Sequence, residues 1–111
     1  MNIQNILIQN ISGDVVISEG NTFTVLGGKS IINNGTLLID GTSDDLTIVV
    51  TPSNFNTVCL QNISGDVAIS LNQSKIECII INDISGDVSG RAHAKSSVSQ
   101  RVTGDCYLVI D

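Results

Sequence analysis

Four aspartates sit behind a glycine in repeated surroundings: Gly13-Asp14, Gly65-Asp66, Gly86-Asp87 and Gly104-Asp105. Carboxylates held side by side could share a cation such as calcium or act as an acid–base pair. A single column of aspartates supplies fewer oxygens than calcium takes, so the plainer reading is solvated carboxylates that discourage lateral sheet growth. The only histidine, His93, alternates with Arg91 and Lys95 in RAHAK. A strand there carries three potential cations on one face and Ala92 and Ala94 on the other, and no nucleophile motif lies nearby. The string LGGKS at 26–30 lacks the first glycine of a phosphate loop, because Phe23 stands in its place. Cys59, Cys78 and Cys106 show no paired spacing for a zinc site or a disulfide framework. No residue is therefore assigned a catalytic, cofactor-binding or metal-ligating role.

The elements that carry these residues repeat. ILIQNISGDVVIS at 6–18 returns as VCLQNISGDVAIS at 58–70, then more loosely as IIINDISGDVSGR at 79–91 and SVSQRVTGDCYLV at 97–109, with a weaker fifth copy in NNGTLLID at 33–40. Such units bury their apolar sides only against stacked neighbours. Ile11, Gly13, Val15 and Ile17 are spaced by two, as are Ile63, Gly65, Val67 and Ile69, which directs each set to one face of a strand. Ile6 and Ile8 have the opposite phase to Ile11, so Gln9-Asn10 marks a corner between two walls. The glycines at 13, 35, 65, 86 and 104 recur at a variable period near one turn of a parallel β-solenoid, giving about five coils in one domain over 1–111.

Stacking the copies in register predicts two columns. The corner column reads Asn10, Asn62, Asp83, Arg101, with amide hydrogen bonds between coils and Asp83 facing Arg101. The second reads Asp14, Thr36, Asp66, Asp87, Asp105. Segments 40–45 and 52–57 read as loops thrown out of the wall, and Asn34-Gly35 and Asp40-Gly41 leave room for hairpins.

Composition narrows the function classes. A net charge of −6 and 3% aromatic residues argue against a nucleic-acid partner, which needs clustered cations and stacking platforms. The same scarcity of aromatics weighs against a carboxylate-dependent, sugar-cleaving enzyme. No segment has the length and apolarity of a membrane span or signal peptide, so the chain is expected to be cytoplasmic and without a membrane partner. No end cap is evident, and residues 91–111 carry a net charge of +1 against −7 for 1–90, which predicts head-to-tail association of open ends.

The I-S-G-D-V-x-I-S blocks and NNGTLLID resemble the GDV-repeat domains of bacterial putative adhesins and, more distantly, the bactofilin-like polymer-forming proteins. The resemblance implies a mainly β, single-stranded, right-handed parallel β-helix without enzymatic activity. The expected function is structural: a homo-oligomer that self-assembles through open ends or a flat wall. The competing expectation is an adhesin-like module that recognises a carbohydrate or protein partner through its loops.

Overall fold

Residues recurring at steps of two, interrupted by single polar corners, must form short strands that change direction together. The computed structural model, which describes residues 3–42 and 44–111, has ten strands and, among those residues, no helix. None is therefore long and apolar enough to cross a membrane. The strands are β1 (Asn5–Ile11), β2 (Val15–Glu19), β3 (Thr24–Leu26), β4 (Ser30–Asn33), β5 (Thr36–Thr42), β6 (Leu46–Val50), β7 (Asn54–Ile63), β8 (Val67–Ile84), β9 (Val88–Val102) and β10 (Cys106–Ile110).

Parallel pairing stacks them in tiers, each with a first wall and a second wall. Along the first wall the order is β5, β1, β7, the second part of β8 and the second part of β9; along the second wall it is β6, β2, then the first parts of β8 and β9, then β10. The tier built from 36–50 thus lies outside the tier built from 5–19, and the chain reaches the third tier by crossing back through residues 51–53. Spatial order departs from chain order at this one place. Pro52 falls in the crossing, outside any strand.

The sheet is mixed, which corrects the purely parallel expectation. β3 runs antiparallel to β6, and β4 antiparallel to β5. Asn34 and Gly35, with φ of 53° and 80°, close the β4–β5 connection as a two-residue turn, the conformation that Asn-Gly favours. NNGTLLID is therefore not a copy of the glycine–aspartate block. Its Leu37 and Ile39 pair with Ile6 and Ile8 on the first wall, and Thr36 pairs with Asn5.

Inward rows of aliphatic residues make the core. Leu37, Ile6, Val58 and Ile79 form one row and Ile39, Ile8, Leu60 and Ile81 the next, all buried. In the last tier these rows end in Ser97 and Ser99, which pair with Ile79 and Ile81 and are exposed. An inward isoleucine gains its burial energy, about 1.5–3 kcal/mol, only when covered on both sides, so serine loses little there. At the opposite end Phe23, Val25 and Ile32 pack against the core from residues 20–35. Both ends thus carry covering features that the sequence reading lacked, and the block at 6–18 is not an end tier.

The corners stack as expected. Gly41, Asn10, Asn62, Asp83 and Arg101 all have φ between 53° and 81°, the left-handed region that glycine and asparagine enter most easily. Asn62 Nδ2 donates to Asn10 Oδ1 at 2.5 Å, Asn10 Nδ2 donates to Asp40 Oδ1 at 2.7 Å, and Arg101 Nε lies 3.0 Å from Asp83 Oδ1. Segment 40–45 is consequently no projecting loop: Asp40 and Gly41 belong to β5, Asp44 and Asp45 stack on the next tier, and Ser43 lies outside the described residues. Likewise 54–57 belong to β7.

The repeated glycines are required by close approach. A Cβ on Gly65 would strike the carbonyl oxygen of Gly13 and the Asp14 carboxylate; on Gly86 it would lie 2.5 Å from the Gly65 carbonyl oxygen, and on Gly13 2.6 Å from that of Asp44. Gly41, by contrast, has nothing within 4 Å of where its Cβ would be. Gly65→Ala is expected to destabilise by about 1–3 kcal/mol through overpacking, whereas Gly41→Asn should stay within about 0.5 kcal/mol. Urea unfolding of both variants checks the pair; equal stabilities would refute the close-approach account.

Candidate functional site

The aspartates form a ladder, with each carboxylate accepting the backbone N–H of the aspartate one tier on. Asp14 N donates to Asp45 Oδ1 at 2.9 Å; the amides of Asp66, Asp87 and Asp105 donate to Asp14, Asp66 and Asp87 Oδ1, each at 2.8 Å. Tyr107 Oη donates to Asp105 Oδ2 at 3.0 Å at the end of the column. Asp45 therefore replaces Thr36 in the predicted row, a correction that follows from the placement of 36–42 on the first wall. Charge-assisted bonds to main-chain donors offset the repulsion of like charges along a column. Among the described residues no group of three or more His, Cys, Asp and Glu side chains is arranged to hold a metal ion.

The RAHAK alternation holds but spans a corner, because the pairing slips between Leu71 and Lys75 where residues 72–74 bulge. Arg91 and His93 reach Asp111 at 3.6 and 3.8 Å, and Lys95 lies 3.2 Å from Glu77. Surface pairs of this kind are worth at most about 1 kcal/mol. His93 and Lys95 border a groove of about 650 Å³ with Lys75, Glu77 and Asp111, lined by no serine, threonine or cysteine. The bulge itself is held by Glu19, whose carboxylate accepts from the amides of Gln73 (2.9 Å) and Ser74 (2.7 Å) and from Ser74 Oγ (2.6 Å). Ser74 Oγ in turn accepts from Ser53 N, which ties down the crossing at 51–53.

The feature that sequence reasoning missed is the outer face of the first wall. With the first and third residues of ILI, LLI, VCL and III buried inward, Leu38, Leu7, Cys59, Ile80 and finally Val98 line up outward across all five tiers. Ile31 of β4 extends the row by its pairing with Leu38. The first four are half-buried by their neighbours, while Val98 and Ile31 are 42% and 61% exposed. On one side runs a row of Thr36, Asn5, Thr57, Cys78 and Ser96; on the other run Asp40, Gln9, Gln61, Asn82 and Gln100. Gln61 Nε2 donates to Gln9 Oε1 at 2.6 Å, and Asn82 Oδ1, one methylene shorter, is buried without a partner. Asp40 is the one ionised side chain in the three rows. The signal was present: three consecutive apolar residues in four of the tiers exceed what a strand with one wet face needs.

Cys59 stands at the centre of this face, in the middle row and the middle tier. Burial pushes its thiol up from the ordinary range, and neighbouring Cys78 adds to the effect. No protein-family model matches the chain, and comparison with curated proteins finds no match.

Two outcomes follow. Asp66→Ala, which strips the Asp87 amide of its acceptor, should cost about 1 kcal/mol in chemical unfolding, while Asp66→Asn, still able to accept, should cost less. Cys59 should react with a maleimide more slowly than exposed Cys106 at neutral pH, with a rate that keeps climbing at alkaline pH, because its raised pKa keeps the thiolate scarce until then. Mass-spectrometric labelling kinetics read this directly, and equal neutral rates would contradict it.

Proposed function

We propose that this chain is a non-enzymatic structural protein, a short right-handed β-solenoid that self-associates through the outer face of its first wall. The observation that carries this reading is the outward apolar row, continuous from Leu38 through Leu7, Cys59 and Ile80 to Val98 and flanked, apart from Asp40 and Cys78, by uncharged amides and hydroxyls. A chain with a net charge of −6 repels its own copies over most of its surface. A wall whose rows hold a single carboxylate is where two copies meet at least cost.

Open-end stacking receives less support than wall pairing. Ser97 and Ser99 make two inward rows of the first wall polar at one end, although Leu108 and Ile110 keep the second wall apolar there, and residues 20–35 cover the other; polar terminal units are how repeat proteins stop growing. The adhesin-like alternative draws no support from loops, since most of 40–45 and 52–57 is built into the walls. Five tiers about 4.8 Å apart and five residues at about 3.3 Å give the wall roughly 400 Å² per copy. A pair burying about 800 Å² belongs with weak, reversible associations.

Sedimentation velocity across the micromolar to millimolar range should show a concentration-dependent dimer. Leu7→Glu and Ile80→Glu should each weaken it about tenfold or more, with Val16→Glu on the second wall as a folded control that leaves it unchanged. A native chain that stays monomeric throughout, or an equal effect of Val16→Glu, would overturn the proposal.

A further inference from the structure

Resting on the reading just given, we infer that the occupant of the wall is a second copy of this chain placed antiparallel to the first, with Cys59 of each copy facing its counterpart. Two identical faces that meet isologously are related by a two-fold axis lying in the plane between them. Whatever direction that axis takes, it returns the central point of the face onto itself. Among the five parallel strands Cys59 holds that point: its row is flanked by one polar row on each side, and two tiers lie to either side of it, carrying Leu7 and Leu38 one way and Ile80 and Val98 the other, with Ile31 of β4 overhanging beyond Leu38.

Charge selects the direction. Asp40 lies at one end of the glutamine-rich row, and Gln100 lies at the other, followed at the corner by Arg101, whose side chain is 69% exposed. An axis running along the strands reverses the tiers, so that Asp40 meets Gln100 of the second copy with Arg101 beside it, twice by symmetry. Leu7 then packs on Ile80 and Leu38 on Val98. An axis running along the stack would instead set Asp40 against Thr36, with no cation near it. The antiparallel arrangement thus brings the one carboxylate on the face, held within its own copy by Asn10, close to Arg101, which is held by Asp83, and pairs larger aliphatic side chains with each other around a small central thiol.

Facing sheets stand about 10 Å apart, beyond the reach of a direct disulfide between central residues, so the test uses a short bis-maleimide on single-cysteine chains. The chain that keeps Cys59, with Cys78→Ser and Cys106→Ser, should be captured as a covalent dimer; the chain that keeps only Cys106, which lies on the second wall, should not. Asp40→Lys should weaken association severalfold by sedimentation, and Arg101→Glu added to it should restore it. A dimer seen by sedimentation but never captured through Cys59 would overturn this geometry while leaving wall association standing. Capture through Cys59 with no response to Asp40→Lys would overturn the antiparallel direction. Absence of any dimer would remove the self-association reading itself.

Discussion

The whole arrangement depends on one repeated contact: a glycine α-carbon lying against the carbonyl oxygen of the tier beneath, beside an aspartate whose carboxylate takes the amide of the tier above. A parallel ladder by itself tolerates slippage, and a slip of one residue exchanges the two faces of a strand. The glycine removes the only atom that would hold the tiers apart, and the carboxylate fixes which residue sits over which. With that register set, the inward aliphatic rows close the core and the outward rows come into line. The corner residues in the left-handed conformation act at the other end of each wall in the same sense, joined in pairs, Asn62 to Asn10 and Arg101 to Asp83.

Much of this was legible. The phase change at Gln9-Asn10 gave the corner, and the spacing of Gly13, Gly65, Gly86 and Gly104 gave a true column. What escaped has physical reasons. Asp44-Asp45 was not recognised as a fifth member because it lacks the glycine, yet glycine is needed only where another tier's carbonyl lies beneath. Asp44 belongs to the outermost parallel tier. Thr36 took its place by a false alignment of Gly35 with Gly13, when Gly35 serves a turn instead. Stack order was invisible because spacing along a chain says how long a coil is and nothing about where it docks. The outer face escaped because alternation was read for its buried half alone, although ILI, LLI, VCL and III are apolar on both faces.

The two ends and the first wall handle exposed apolar surface in opposite ways. At the ends, the inward positions of the first wall turn to serine or disappear under residues 20–35. On the wall, the central row is aliphatic in every tier but that of Cys59, and only its borders are polar. A face kept apolar where substitution would be simple, on a chain whose ends are blunted, is the pattern of a surface with a partner. The groove near His93 has a different character: His93 and Lys95 are paired with Asp111 and Glu77 at the surface, and no serine, threonine or cysteine lines it.

The insertion of 5–19 between 36–50 and 54–71 bears on how the molecule comes into being. Synthesis releases the earlier segment first, yet that segment has no ladder partner on either side until two later stretches have emerged and docked. Local hairpins cannot nucleate it, apart from the Asn34-Gly35 turn, and nearly all its contacts close long loops, which slows folding. During that wait ILIQNI and VVIS present two unsatisfied strand edges to the ribosome exit and to other nascent chains. A rearranged chain that carried 36–50 ahead of 5–19 would be made in the order in which its tiers stack.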